Sequence, residues 1–269
     1  MIRDWLRSLD RTETSYGFKV TDLTEANSPP LSDDLVSWLA LQLLQAHTNV
    51  EHLKRRYHAR SAEELTHYIN THLFRAAKTP LEENVLRGEW GEVISGLVLR
   101  DFRNLSTSLV KLRYKLNRTR ATFGIDVFGI ESNANKEVVA LYICEAKTRI
   151  KYDKHVGREA HDSLILHDTA AIVTIADFMS NVYYEARDWD MVDQFDQIVR
   201  DQSIATNQEI FLLCERDLWN EEILEELQSV PNRLPNLTVN VILVNQLDHV
   251  YRDSTNRTSK VAEEMVYGS

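Results

Sequence analysis

The chain has 269 residues, of which 43% are hydrophobic and 27% are charged, so it is long enough and apolar enough to form a globular core. No apolar run approaches the roughly 18 residues that a membrane span needs, and the charged start MIRDWLRSLDRTE is unlike a secretory signal. The net charge of −10 argues against an overall basic nucleic-acid-binding protein, and two cysteines within apolar runs predict reduced thiols. We therefore expect a cytoplasmic protein that does not contact a membrane.

Residues 1–80 are predicted to form a mainly helical N-terminal region that is available to dock a partner. The segment GFKVTDLTEA predicts one short strand, and the prolines of NSPPLSDD precede a predicted helix over residues 32–48. A capping box from Ser61 to Glu64 begins a further helix in SAEELTHYINTHLFRAAK. Pro80 marks the predicted joint, so residues 81–269 are expected to form the main domain.

The main domain is predicted to contain a helix, three strands, a helix, a strand, a helix and a final strand. The first helix covers residues 81–102, and the strictly alternating SLVKLRYKLNR predicts a half-buried strand with Lys111, Arg113 and Lys115 on its outer face. GIDVFGIE and EVVALYICEAKT predict a hairpin closed by the polar turn SNANK, and residues 155–187 are interpreted as mostly helix. EIFLLCER and LTVNVILVNQL predict the last two strands. This order is typical of an α/β fold with a mixed sheet.

Three charged side chains are predicted to converge at the ends of the hairpin strands. Asp126 and Glu145 lie nearly symmetrically about the turn, so antiparallel pairing would place their Cβ atoms about 5 Å apart. Lys147 follows Glu145 by two residues and shares its face of the strand. Two neighbouring carboxylates repel, so one must protonate or a cation must lie between them, and Mg²⁺ suits carboxylate oxygens. The alternative is a strand end at which Glu145 and Lys147 are simply solvated.

These residues resemble the PD-(D/E)XK nucleases, whose restriction-endonuclease-like αβββαβ core has a metal-binding aspartate on the second strand and (D/E)-x-K on the third. The residues GID and EAK match those two elements, although Ile125 stands where the family pattern has proline. The resemblance implies that Asp126, Glu145 and the backbone carbonyl of Ala146 bind Mg²⁺ or Mn²⁺. It also implies that Lys147 assists the attacking water.

Many members of this family also have a glutamate on the first helix, and RGEWGEVISGLVL offers Glu89 and Glu92. The resemblance favours Glu92 as the residue that completes the catalytic site. The helical pattern alone leaves both glutamates open, because apolar residues cover most sides of this helix. The alternative for Glu92 is a solvated helix glutamate.

A basic strip lies between residues 102 and 125, where the chain has no acidic residue. Its position directly before the proposed site predicts contacts with phosphates, and the alternative is a solvated sheet face. Two basic residues after the third strand continue the face of Glu145 and Lys147 and extend the strip. The predicted nucleic-acid-binding residues are Lys111, Arg113, Lys115, Arg118, Arg120, Arg149 and Lys151.

Over roughly residues 86–166 the chain is similar to the nuclease subunit of Hachiman, a bacterial anti-phage system in which a nuclease works with a helicase. This similarity implies a Mg²⁺-dependent deoxyribonuclease whose substrate is DNA and whose partner is a superfamily 2 helicase. No G-x-G-x-x-G or Walker-type loop is present, so we expect no small-molecule cofactor. Two alternatives stay open: a catalytically silent module that binds DNA or docks a partner, and an active nuclease that its partner holds inactive.

Overall fold

The computed structural model describes residues 1–11, 15–26, 31–107, 109–114, 124–231, 234 and 236–268, and for residues 109, 110, 114 and 167–169 it describes the backbone alone. In this part of the chain the protein has a mixed α/β fold built on a seven-stranded sheet of order β1-β2-β7-β6-β5-β4-β3. The strands are β1 Leu6–Asp10, β2 Lys19–Glu25, β3 Ser106–Thr107, β4 Val127–Ser132, β5 Val138–Arg149, β6 Ala205–Glu215 and β7 Thr238–Val244.

The centre of the sheet is parallel and both of its edges are antiparallel. Strands β2, β7, β6 and β5 pair in parallel in that order. Strand β1 pairs antiparallel with β2, and β5, β4 and β3 form an antiparallel meander. The prediction of an α/β fold with a mixed sheet is therefore confirmed.

Helices cover both faces of this sheet, which explains why its central strands are apolar on both sides. The helices of the described residues are α1 Ile2–Trp5, α2 Asp33–His47, α3 Val50–Tyr57, α4 Ala62–Tyr68, α5 Pro80–Arg103, α6 Val156–Ala186, α7 Trp189–Asp201, α8 Glu222–Gln228 and α9 Leu247–Tyr267. A π-helical turn, Ile69–Leu73, and two 3₁₀ helices, Leu109–Tyr114 and Arg216–Leu218, complete them.

Helices α5 and α6 lie on opposite faces of the sheet, because alternate residues of β5 belong to two separate cores. Ala146 belongs to the same core as Trp90 of α5, whereas Ile143 belongs to the same core as Leu164 of α6. Glu145 follows Ile143 by two residues, so it projects from the α6 face of the sheet. The strand thus directs its carboxylate into the space beside α6.

Most of the predicted main-domain elements are present in the predicted order, and α7 and α9 are two helices that this order lacks. Helix α5 begins at Pro80, directly after Thr79, whose hydroxyl accepts a hydrogen bond from the backbone N–H of Glu82 at 3.2 Å. Strands β4 and β5 form the predicted hairpin around the turn SNANK, and α6 occupies nearly all of the segment that was interpreted as helix. Strands β6 and β7 confirm the two predicted final strands.

The predicted strand SLVKLRYKLNR is wrong where the structure describes it. Only Ser106–Thr107 pairs with β4, and Leu109–Tyr114 forms a 3₁₀ helix instead of a strand. The consecutive residues Lys111 and Leu112 are 5% and 2% exposed, whereas a half-buried strand would place them on opposite faces. Residues 115–123, which include Lys115, Arg118 and Arg120, lie outside the described residues.

Residues 1–80 contribute strands as well as helices to the fold. Strand β2, which confirms the predicted short strand, runs parallel to β7, and β1 extends the sheet by one more strand. The predicted capping box of Ser61 and Glu64 is confirmed at the start of α4, and the Ser32 hydroxyl caps α2. Helix α2 packs against α9. The division of the chain at residue 80 stays a prediction.

Among the described residues, no single helix combines the length and the apolar composition that a membrane crossing requires. The two arms of the bent helix α6, Val156–Leu166 and Ala170–Ala186, satisfy that test only when they are taken together.

Candidate active site at the open end of the β4–β5 hairpin

Asp126 and Glu145 face each other at the open end of the hairpin. The register pairs Val127 with Cys144, so the residues one step further along each chain, Asp126 and Glu145, are opposite each other. The Oδ2 atom of Asp126 accepts a hydrogen bond of 3.0 Å from the backbone N–H of Ala146. The predicted hairpin geometry is thus confirmed, and the predicted metal-binding role of the two carboxylates stays a prediction.

The backbone of Ala146 contributes an acceptor to the same place. In a strand, the N–H and C=O groups of one residue point to the same neighbouring strand. Because the Ala146 N–H points to Asp126, the Ala146 carbonyl oxygen also lies on the β4 side of the strand. Three oxygen donors, from Asp126, Glu145 and Ala146, are therefore available at this corner of the sheet.

Lys147 lies directly beside Glu145, with 2.6 Å between Nζ and Oε1. Glu145 is 4% exposed, whereas Lys147 is partly exposed. The pKa of Glu145 is raised to about 7, chiefly by burial and then by the negative charge of Asp126, while Lys147 and the Ser163 hydroxyl oppose this rise. Two carboxylates thus lie close to one ammonium, and a bound cation would favour the charged form of both carboxylates.

Glu92 approaches this corner from α5, which covers the opposite face of the sheet. Its Oε2 lies 2.8 Å from Nζ of Lys111, and the same Nζ donates to the carbonyl oxygen of Ile125 at 2.6 Å. Burial chiefly raises the pKa of Glu92 to about 7, Lys111 opposes the rise, and the charge of Asp126 adds to it. Lys111 thus joins α5 to the residue that directly precedes Asp126.

The other helix glutamate, Glu89, points away from this corner. It is 3% exposed, and its Oε2 lies 3.3 Å from Nε2 of His47 at the end of α2. The charge of Asp126 contributes to the raised pKa of Glu92, so Glu92 lies near this corner. This placement agrees with the preference for Glu92, although its catalytic role stays a prediction.

Helix α5 approaches β5 closely at Gly91. A Cβ atom at this position would overlap the hydroxyl of Thr148 on β5. The apolar and acidic pattern of this helix does not predict the role of Gly91. The available signal was a glycine inside a helix, which costs about 1 kcal/mol relative to alanine and therefore indicates a packing requirement. Gly91 lets the backbone next to Glu92 lie against the strand that contains Glu145.

Two of the predicted phosphate-binding residues have partners within the protein. Lys111 is buried between Glu92 and the Ile125 carbonyl, so its ammonium is not presented to solvent. Arg113 is exposed, but its Nε and Nη2 donate to the carbonyl oxygen of Gln45 at 3.0 and 2.6 Å. The outward cationic face that the alternating pattern predicted does not form at these two positions.

The two basic residues beyond Lys147 have different surroundings. Arg149 is paired with Asp153 at 3.0 Å and with Glu159 at 2.7 Å. Lys151 is exposed, just after the end of β5. Among the described residues of the predicted strip, the exposed Lys151 is thus the one best placed to contact a polyanion. Lys115, Arg118 and Arg120 lie outside the described residues.

The donor set at the hairpin fits a hard divalent cation. Mg²⁺ keeps several water ligands and is usually bound by one or two carboxylates, which Asp126 and Glu145 would supply. Within the ranges that the structure describes, no three His, Cys, Asp or Glu side chains form a metal-binding group. The fit is therefore to two carboxylates, the Ala146 carbonyl and water. Such a site can activate a water molecule and stabilise negative charge on a reacting phosphate.

Comparison with known proteins assigns the family. The model of the HamA family, where HamA denotes protein A of the Hachiman system, matches residues 1–256. A search of curated proteins finds no match to the chain. The family match covers nearly the whole chain, including both the N-terminal strands and the hairpin site. The chain therefore belongs to the HamA family, and this membership identifies it as a protein of the Hachiman anti-phage defence system.

Proposed function

We propose that this protein is a Mg²⁺- or Mn²⁺-dependent deoxyribonuclease of the PD-(D/E)XK superfamily. The observation that supports the proposal best is the meeting of Asp126, Glu145 and Lys147 at the open end of one hairpin, with 3.0 Å between Asp126 and the Ala146 amide and 2.6 Å between Lys147 and Glu145. Apart from the additional helix α7 between α6 and β6, the order α5, β3, β4, β5, α6 and β6 is consistent with the restriction-endonuclease-like αβββαβ core. In that core the motif residues occupy the same two strands.

In the proposed reaction, Asp126, Glu145 and the Ala146 carbonyl would hold the cation. When bound, the cation would lower the pKa of a coordinated water and offset negative charge on the scissile phosphate. The ammonium of Lys147 orients the attacking water and donates hydrogen bonds to the oxygen on which charge develops. Because Lys147 is only partly exposed and is fixed by Glu145, its position is set before the substrate arrives.

Glu92 completes the proposed site from α5. Its carboxylate forms an ion pair with the ammonium of Lys111. The same ammonium donates a hydrogen bond to the Ile125 carbonyl oxygen and so fixes the start of β4 next to Asp126. Through this chain of contacts, Glu92 would orient the Asp126 carboxylate and so strengthen cation binding at the hairpin.

The proposed substrate is DNA, and the proposed partner is a superfamily 2 helicase subunit. Membership in the HamA family indicates a partner protein within the Hachiman system. Arg149 and Lys151, which follow Lys147 on β5 and just beyond it, are proposed to contact phosphates beside the scissile bond. A processive helicase would deliver DNA to a nuclease that itself has no nucleotide-binding loop.

The proposal predicts metal-dependent cleavage by the purified chain. Supercoiled plasmid should be nicked or linearised with Mg²⁺ or Mn²⁺, remain intact with EDTA, and be cleaved again when excess Mg²⁺ is restored. Calorimetric titration with Mg²⁺ should show binding that Asp126→Asn weakens. Cleavage that persists in EDTA, or the absence of cleavage with either metal, would contradict the assignment.

A catalytically silent module is the second candidate, and one observation favours it. The carboxylates of Glu145 and Glu92 already have ammonium partners, at 2.6 and 2.8 Å, which partly replace a cation. In that case the fold would bind DNA or dock a partner without cleaving. The same titration distinguishes the two candidates, because a silent module would show neither Mg²⁺ binding nor cleavage while still binding DNA or its partner.

A further inference from the structure

Strand β1 is a free edge of the sheet in the described part of the chain. The Trp5 carbonyl accepts a hydrogen bond from Ala26 at 2.7 Å, and Arg11 donates one to Val20 at 3.0 Å. In antiparallel pairing, every second residue turns its backbone groups to the neighbouring strand, so the odd-numbered residues here face β2. The N–H and C=O groups of the even-numbered residues, such as Ser8, therefore point away from the sheet.

An open groove of about 750 Å³ lies beside this edge and is lined in part by Arg3, Arg7, Ser8, Asp10 and Arg103. It lies on the face that α5 covers, where Leu6 of β1 enters the same core as α5. The side chains of Ser8 and Asp10 follow Leu6 at intervals of two and therefore share this face. The free backbone edge and the groove thus form one continuous surface.

The floor of the groove is a closed polar cluster. Nη1 of Arg103 lies 3.1 Å from Oε1 of Glu209, and its Nη2 donates to Oδ1 of Asn240 at 3.0 Å. The Asn240 amide donates in turn to the other oxygen of Glu209 at 2.7 Å. Glu209 and Asn240 are 1% and 0% exposed, so these contacts fix the floor and neutralise Arg103.

Arg3 and Arg7 give the groove a net positive charge. Nε of Arg3 donates to the Asp101 carbonyl at 2.6 Å, and its guanidinium lies over the Phe102 ring at 5.6 Å. Arg7 is exposed, and no described carboxylate forms an ion pair with either arginine. The one acid in the lining, Asp10, offsets one of these two charges and accepts a hydrogen bond from Thr21 at 2.7 Å. The groove therefore favours an anionic occupant.

We propose that β1 and this groove are a docking site for an extended segment of a second protein, which adds as a strand beside β1. Side chains of the added strand that lie near Arg3 and Arg7 would meet positive charge and should be acidic. Those that lie beside Leu9, which is 69% exposed, should be apolar. The partner segment would thus combine acidic and apolar residues.

The surface fits a segment of another protein better than it fits nucleic acid or a second copy of this chain. A row of outward N–H and C=O groups is complementary to a peptide backbone, whereas nucleic acid would use the arginines but leave this row unpaired. A second copy of this chain, paired through its own β1, would bring its own Arg3 and Arg7 to the same edge, where like charges repel. The proposal rests on the proposed partnership with another Hachiman protein, and it is independent of nuclease activity.

The test measures the affinity of the full-length chain for its purified Hachiman partner protein by biolayer interferometry. Ser8→Pro removes an outward N–H and places a ring on the edge, but leaves the hydrogen bonds of the odd-numbered residues to β2 in place. Arg7→Glu reverses the charge of the groove. The matched controls are Ser8→Ala at the same position and Arg200→Glu on the exposed side of α7.

We expect Ser8→Pro and Arg7→Glu each to weaken binding by about tenfold or more, and both controls to stay within about twofold. Hydrogen exchange of the Ser8 and Asp10 amides should slow on complex formation, which also tests the site if Ser8→Pro fails to fold. Unchanged affinity in a folded Ser8→Pro or in Arg7→Glu would overturn the docking site. If Arg7→Glu weakens binding but the Ser8 and Asp10 amides exchange equally fast in the complex, strand addition would be overturned. If the unmodified chain does not bind the partner protein, the partnership itself would be overturned.

Discussion

At the residue scale, Lys111 shows what a local charge pattern does not determine. The pattern basic-apolar-basic predicts an outward ammonium, yet the Lys111 ammonium is buried between Glu92 and the Ile125 carbonyl. The pairing of Glu145 with Lys147, by contrast, follows from their spacing on one strand and was predictable. Periodicity over a few residues predicts which face of a strand a side chain occupies. The ion pair of Lys111 depends instead on Glu92 of α5, which lies 19 residues earlier in the chain.

Lys111→Met should destabilise the protein, because it leaves the Glu92 carboxylate buried without its ammonium partner. Removal of one member of a buried ion pair typically costs about 3–5 kcal/mol. We expect a decrease of about 3 kcal/mol in the free energy of unfolding, measured by urea denaturation at pH 8. Lys151→Met, at an exposed lysine, is the matched control and should change the value by less than about 0.5 kcal/mol. Equal stability of the two variants would show that Lys111 is not a buried partner of Glu92.

The raised pKa of Glu92 predicts a stability that depends on pH. Its pKa is about 7 in the folded protein and near the ordinary 4.5 in the unfolded chain, so the folded state binds the proton more tightly. This contribution is fully present below pH 4.5 and is lost as the pH rises through 7. In EDTA, the stability of the unmodified protein relative to Glu92→Gln should therefore fall between pH 5 and pH 8, by at most about 3 kcal/mol. A relative stability that is constant or rises over this range would contradict the assigned shift.

At the element scale, the helix and strand pattern of residues 81–149 was largely predictable, with one informative error. In helix α5 the cap and the first-turn proline indicate the same start of the helix. In the β4–β5 hairpin the polar turn and the apolar strands on either side of it indicate the same structure. The segment Leu109–Tyr114 has a period of two but forms a 3₁₀ helix, because six residues are too few for periodicity to distinguish the two structures. The close approach of α5 to β5 at Gly91 was not predictable from apolar periodicity.

Gly91→Ala should disturb the contact between α5 and β5. The added methyl group would overlap the Thr148 hydroxyl, and overpacking of this kind costs about 1–3 kcal/mol. Gly88→Ala, three residues earlier on the same helix, is the matched control, since a Cβ there meets no atom within 4 Å. We expect urea denaturation to show destabilisation for Gly91→Ala and a gain of about 0.5–1 kcal/mol for Gly88→Ala. A gain of stability in both variants would refute the packing role of Gly91.

At the scale of the whole molecule, the sequence predicts the mixed sheet but not its full extent. Strand β1 has one buried residue, Leu6, so no apolar alternation indicates it. Helix α9 buries Ser254 and Thr258 among its apolar residues, and these hydroxyl-bearing positions interrupt the apolar stripe that would predict a helix. Residues near both ends of the chain therefore complete the structure: β1 and β2 extend the sheet, and α9 packs against α2. The family match over residues 1–256 spans this whole arrangement.

The most direct test of the proposed nuclease is plasmid cleavage by Glu145→Gln, which keeps the size of the side chain but removes its charge. The matched control is Glu225→Gln, at an exposed glutamate of α8. With equal protein and Mg²⁺, initial cleavage rates are measured on supercoiled DNA. The account predicts that Glu145→Gln loses activity by about 100-fold or more, while Glu225→Gln cleaves at the rate of the unmodified chain. Undiminished cleavage by Glu145→Gln would contradict the account.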